Sequence, residues 1–168
     1  MSDDALIEEI KNRHLIEQVL RRYSRGVDRG DAELIRSVYH DDGIDDHGGF
    51  KGRGQEFADV LVKNTQDHWL ASNHNLHQIN IDFDGDTAWT ETHFTAHHRI
   101  RNDEGVTVLE SFGGRYCDRF EKRDGEWKIA QRIVVHDWSR IQDVPNEYPT
   151  EAFEQGKRSK DDLSYKRF

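Results

Sequence analysis

From His74 onward, three turn signals cut the chain into four long runs of strand-type residues. Asp84-Gly85-Asp86, Asn102-Asp103-Glu104-Gly105 and Lys122-Arg123-Asp124-Gly125 are the cuts. Between them lie His74 to Phe83, Thr87 to Ile100, Val106 to Glu121 and Glu126 to Trp138, rich in Thr, aromatic and β-branched residues. Tight turns join antiparallel neighbours, so the pattern predicts a four-stranded meander. Such a sheet has a face to cover, and three helical patterns precede it. Leu6, Ile7, Ile10, Leu15, Ile16, Val19, Leu20, Tyr23 and Val27 mark one face of a first helix. Gly30 supplies a stop, and Asp31 an N-cap for a second helix through Tyr39. Asp41 to Phe50 reads as a short strand between turns. A third helix from about Gly54 to Asn64 buries Phe57, Val60 and Leu61. The fold class is α+β.

At 168 residues the chain fits one domain, over residues 1–140, with a charged tail at 141–168 that holds both prolines. The tail is expected to be weakly ordered, packed on the domain or partly flexible. Hydrophobic and charged residues each make up 34% of the chain, a polar balance for a globular protein. Eight Phe, five Tyr and four Trp supply enough area for a core. The net charge of −9 disfavours nucleic acid and anionic membranes. No apolar run approaches the ~20 residues of a membrane helix, and the opening MSDDALIEEI lacks the pattern of a signal peptide. Cys117 is the single cysteine, so a reducing, cytoplasmic location is expected. No Gly-x-Ser-x-Gly elbow or phosphate-binding loop is present. Gly113-Gly114 reads as a bend in the sheet.

Three segments resemble a known family. They are Arg22-Tyr23-Ser24-Arg25-Gly26-Val27-Asp28-Arg29-Gly30-Asp31, His74 ahead of Ile79-Asn80-Ile81-Asp82-Phe83-Asp84-Gly85-Asp86-Thr87-Ala88, and Gly114-Arg115-Tyr116 through Asp124-Gly125-Glu126-Trp127-Lys128-Ile129-Ala130-Gln131-Arg132. The pattern resembles SnoaL-like proteins of the nuclear transport factor 2-like superfamily, in the group of scytalone dehydratase, hexachlorocyclohexane dehydrochlorinase and bile-acid 7α-dehydratase. The resemblance implies a cone-shaped, strongly curved antiparallel sheet, barrel-like, with the helices enclosing a pocket. It implies a dyad in which His74 is the base and Asp28 orients it, joined by Tyr23 and Arg132. A polar position on the next strand falls near His97. It also implies homodimers or homotrimers formed through the outer sheet face.

The residues suit that chemistry. Elimination needs a base beside a leaving group and a donor for the departing anion. An imidazole ordinarily titrates near ~6.5, close to working pH. A carboxylate on one ring nitrogen fixes the tautomer. Tyr23 offers a phenol, and Arg132 a rigid fork of donors. Each has a plainer reading: Asp28 as a turn residue, Tyr23 as a core aromatic, Arg132 as a cross-strand partner of Asp118 or Glu110. His77 competes with His74 for the base. Alternation puts Trp89, Glu91, His93, Thr95 and His97 on one face of their strand, with His98 on the other. His97 and Trp89 are taken to line the pocket, with His98 facing out, and Asp46 and His47 to sit at its rim. His93 and His97 lie ~13 Å apart on a strand, too far to share a metal easily, so no metal is expected; the resemblance implies chemistry without a cofactor. The expected function is a lyase for a small apolar, cyclic or aromatic substrate, working by dehydration, dehydrohalogenation or retro-aldol cleavage. The alternatives are a ketosteroid-isomerase or polyketide-cyclase type of enzyme with Asp28 as the base, a ligand-binding module, or a non-catalytic dioxygenase small subunit.

Overall fold

The computed structural model describes residues 2–144, 149 and 151–166. Helix α1, Asp3–Arg29, is capped by Ser2, whose hydroxyl accepts the Ala5 N–H at 3.3 Å. Ile16, Val19, Leu20, Tyr23 and Val27 form its buried face. Gly30 ends it in the left-handed conformation, φ 61°, which glycine adopts without strain. Asp31 then caps α2, Ala32–Arg36, by accepting the Leu34 N–H at 3.0 Å. This helix stops short of Tyr39, because Tyr39 is buried at the start of strand β1, Tyr39–Asp46. Strand β2, Lys51–Arg53, folds back on β1 and leads into α3, Gly54–Thr65, which buries Phe57 and Ala58.

Four long strands follow: β3 (Trp69–Asp84), β4 (Thr87–Arg101), β5 (Thr107–Arg123) and β6 (Glu126–Asp143). They pair antiparallel in sequence order, as the turns require. The full sheet runs β2-β1-β6-β5-β4-β3, and β1 joins β6 in parallel. The sheet is therefore mixed, though mostly antiparallel. β3 begins five residues before His74, and β6 continues past residue 140, so the expected domain boundary falls inside a strand.

A straight strand of β5's 17 residues would span ~55 Å. A globule of this chain length is only ~40 Å across, so the strands must curl. The ladder shifts register between Gly113 and Gly114. A Cβ on Gly113 would lie 2.2 Å from the Trp138 ring, and one on Gly114 2.2 Å from the Val135 carbonyl oxygen. Only glycines fit this bend. A second shift, between Leu76 and Ile79, bends β3. The curled sheet wraps its inner face around α1 and α3. Ala88, Thr90, Thr92, Phe94 and Ala96 of β4 and Tyr116, Asp118 and Phe120 of β5 are buried on that side.

Beneath the inner face lies a buried ion pair. Arg132 on β6 donates through Nε and one Nη to the two oxygens of Asp118 on β5, both at 2.7 Å, and both side chains are fully buried. The Tyr23 and Tyr116 rings each lie 4.1 Å from the guanidinium carbon. The cross-strand reading of Arg132 is the observed one.

The tail returns to the domain where it is described; residues 145–148, 150 and 167–168 of it lie outside the described residues. Arg158 donates to the Val27 carbonyl at 3.0 Å, Ser72 Oγ at 2.6 Å and Thr65 Oγ1 at 3.0 Å. Its cation therefore sits at the negative end of α1. Tyr165 donates to Asp31 at 2.8 Å, and Arg25 to the Ser164 carbonyl at 2.9 Å.

Removing one member of a buried ion pair strands a charge. Asp118→Ala should lower unfolding free energy by about 3–5 kcal/mol, read from urea denaturation. Asp118→Leu combined with Arg132→Met should recover most of that loss. Equal instability of the single and double variants would show that the pair is not the cause.

Candidate active site

The last turn of α1 and the first half of β3 meet through two side chains. Asp28 Oδ1 lies 2.7 Å from His74 Nδ1, and its Oδ2 accepts the His74 backbone N–H at 3.0 Å. Both carboxylate oxygens are thus spent on one residue. A carboxylate oxygen accepts, so Nδ1 carries a proton, and in the neutral ring Nε2 keeps its lone pair. The two side chains are only 12% and 7% exposed. Asp28 sits at the C-terminal end of α1, where a carboxylate opposes the helix dipole by about 0.3–1 kcal/mol. Arg158, above the α1 carbonyls, offsets this.

His74 forms part of the wall of a cavity of about 230 Å³. Val27, Phe57, Leu61, Trp69, Phe94, Ala96, Phe112, Tyr116 and Val134 supply its apolar lining. The polar groups on it are Tyr23, His47, His74 and His98. The size is below the ~300 Å³ at the lower end for drug-sized ligands, so it suits a small molecule. A more open cleft of about 550 Å³ borders the Asp28–His74 pair and is lined by Arg21, Arg25, Arg29 and His77 among others. Chemistry that must exclude water belongs in the smaller, aromatic space.

Two further imidazoles stand in that space. His47 follows β1, and its Nδ1 is hydrogen-bonded to Asp45, which is fully buried. Its Nε2 lies 3.1 Å from the Tyr23 hydroxyl, and its ring stacks on Phe57 at 4.2 Å. Tyr39 donates its hydroxyl to the other Asp45 oxygen. Burial pushes the Tyr23 phenol well above its ordinary range, so it stays protonated. His98 stacks on Trp69 at 3.8 Å, and its ring centre is 5.3 Å from that of His74. Its Nε2 is buried without a partner. Burial first, and then the neighbouring His74, lower its pKa to about 3, so the ring is neutral at working pH.

The structure brings His74, Tyr23 and His47 together on the wall of one cavity, and Asp28 is bonded to His74 from the side of the open cleft. It separates the others expected there. Arg132 lies under Tyr23, locked to Asp118, and is not part of the lining. His97 points to the opposite sheet face and contacts Ser111 at 2.9 Å, while His98 faces in. Trp89 shares that outer face and is 48% exposed. The face assignment of β4 is therefore the reverse of the one expected, because the buried register carries Ala88, Phe94 and Ala96, an apolar alternation legible in the sequence. Asp46 turns outward to Lys51 at 3.0 Å. His77 contacts Thr95 Oγ1 at 2.9 Å, away from Asp28. Asp45 and His98 were not expected as site residues; an acidic residue two positions before His47, near the end of the strand, was the available signal for Asp45. Among the described residues, no three His, Cys, Asp or Glu side chains are placed to hold a metal ion, and no helix is long and apolar enough to cross a membrane.

The fold has counterparts among known structures. A hexachlorocyclohexane dehydrochlorinase of type 2 superposes with a TM-score of 0.75 at 18% identity, covering 86% of this chain and 98% of its own. The type 3 dehydrochlorinase from Novosphingobium barchaimii gives a TM-score of 0.73 at 19% identity, covering 85% and 98%. A protein from Novosphingobium aromaticivorans, provisionally named a scytalone dehydratase, gives 0.70 at 22% identity, covering 92% and 100%. At these identities the likeness is one of fold. No curated protein sequence matches significantly. The SnoaL-like domain profile matches residues 8–133, and with three quarters of its length inside that match the chain belongs to the SnoaL-like domain family.

Proposed function

We propose that this protein is a cofactor-independent lyase in which His74 removes a proton from a small, apolar, cyclic substrate and Asp28 holds the imidazole for that task. The observation that carries the proposal is the double engagement of Asp28. With Oδ1 on the ring and Oδ2 on the backbone of His74, the carboxylate orients the base and balances the imidazolium that forms. The same engagement disfavours the ketosteroid-isomerase alternative, which needs Asp28 itself as the free base.

The remaining polar groups complete the chemistry. His98 is neutral, and its unpartnered Nε2 on the cavity wall suits it to hold a substrate oxygen. Tyr23, kept protonated by burial, is the donor to the departing group. Aromatic rings fill the remaining wall, with Phe94 and Tyr116 stacked at 4.0 Å, and match the flat face of an unsaturated ring. The outer sheet face, where Trp89 and Ile133 are exposed, is the surface through which copies would pair as a dimer or trimer.

Elimination from small cyclic β-hydroxy and β-halo ketones, followed by enone absorbance, tests the proposal. His74→Gln should lower kcat by ~10²–10⁴-fold with the far-ultraviolet circular dichroism unchanged. Asp28→Asn should fall in the same range through the wrong tautomer. A folded His74→Gln variant with full turnover would rule His74 out, and an Asp28→Asn loss far exceeding that of His74→Gln would favour the isomerase.

His98 generates a second prediction. Its folded pKa of about 3 lies below the ~6.5 of an imidazole in an unfolded chain. As pH falls through that window the unfolded state gains a proton that the folded state refuses, so stability falls with pH. The groups around it are His74, Arg158 and His97, which disfavour its charge, and Asp28 and Glu110, which favour it. His98→Phe should flatten the loss of urea midpoint between pH 6.5 and about 3. An unchanged slope would place the pH dependence elsewhere.

A further inference from the structure

The cavity wall carries a second imidazole held by a carboxylate, His47 bonded to Asp45. Asp45 is fully buried, and its bonds are to the Tyr39 hydroxyl and His47 Nδ1, neither of them Lys or Arg. A buried carboxylate calls for an opposite charge. Arg132, its neighbour across the β1–β6 ladder, is held in a two-pronged bond by Asp118, and of the two hydrogen-bonded partners of Asp45 only His47 can supply a charge. His47 in turn reaches Tyr23 through Nε2 at 3.1 Å, and both Tyr23 and His47 line the cavity. His74 therefore shares its cavity with a complete chain of Asp45, His47 and Tyr23.

We propose that Asp45, His47 and Tyr23 form a proton-delivery relay to an oxygen leaving group, which makes the substrate a small cyclic β-hydroxy carbonyl compound rather than a halide. This rests on the reading of His74 as the base. In the step, His74 Nε2 takes the proton from the carbon beside the carbonyl. The C–H electron pair becomes the new C=C bond, and the C–O bond breaks with its pair staying on oxygen. The Tyr23 hydroxyl proton passes to that oxygen, so water departs. The phenolate recovers a proton from Nε2 of a His47 ring protonated on both nitrogens, with Asp45 balancing that charge throughout. His74 then releases its proton to solvent and His47 takes one up, which restores both rings. The 3.1 Å contact serves in either direction, since a neutral His47 accepts from the phenol and a charged one donates to it. Halide leaves without a proton, so a dehydrohalogenase has no use for such a chain. Hydroxide is a poor leaving group, and general-acid assistance of this kind contributes ~10²–10⁴-fold.

Two measurements test the relay. The first needs no substrate: ¹⁵N-histidine NMR of the wild-type protein should show a downfield, slowly exchanging His47 Nδ1–H that vanishes in Asp45→Asn, and its persistence in that variant would overturn the relay. The second compares 3-hydroxycyclohexanone with 3-chlorocyclohexanone. His47→Gln and Tyr23→Phe should each lose at least about tenfold more kcat/KM on the hydroxyl probe than on the chloride, whereas His74→Gln should lose both heavily. Equal losses on the two probes in His47→Gln would overturn the relay and leave His74 as the base. Undiminished turnover of both probes by His74→Gln would instead overturn the base assignment.

Discussion

Asp28 bonds to both the ring and the backbone of His74, and this clamp ties the end of α1 to the sheet's free edge. Among the described residues β3 has one strand neighbour, so its outer side has no ladder to hold it. The Asp28 carboxylate fixes it in place at His74. Arg158 reinforces the joint by bonding α1 carbonyls on one side and Ser72 of β3 on the other. One set of interactions therefore fixes this edge of the fold and holds the imidazole in the cavity wall. Precision at this joint is what the proposed base requires.

The interior is divided by polarity. The Arg132–Asp118 pair and the cluster of Tyr23, Tyr39 and Tyr116 lie deep, where buried polar groups need partners. Around the cavity the aromatic rings crowd the histidines and lower the polarity of their surroundings, which strengthens each electrostatic contact there. His74, His47 and His98 are held differently. The first two are each oriented by a carboxylate, while the third is stacked on Trp69 and kept neutral by burial. Three copies of one side chain thus stand in three different environments around one space of about 230 Å³.

Much of this was legible in the chain. The glycine-bearing turns gave the meander, Gly30-Asp31 gave the break between helices, and Gly113-Gly114 gave the bend. The Asp28–His74 pairing came from the resemblance and not from periodicity, because no local rule joins residues 46 positions apart. The parallel pairing of β1 with β6 left no local trace, since a parallel partner is chosen by tertiary packing. The face of β4 was legible in Ala88, Phe94 and Ala96, but the weight given to histidine chemistry pointed to His97. Arg132 went to its plainer role because a fully buried guanidinium needs a carboxylate, and Asp118 stands across the ladder from it.

The central claim is that His74 presents an unprotonated Nε2 to the cavity because Asp28 holds the proton on Nδ1. The ¹⁵N chemical shifts of His74 at pH 8 measure this directly. A proton-bearing Nδ1 with a bare Nε2 is the result expected, and cyclohexenone added as a product mimic should perturb Nε2 more than Nδ1. A ring found with its proton on Nε2, or one insensitive to Asp28→Asn, would contradict the account.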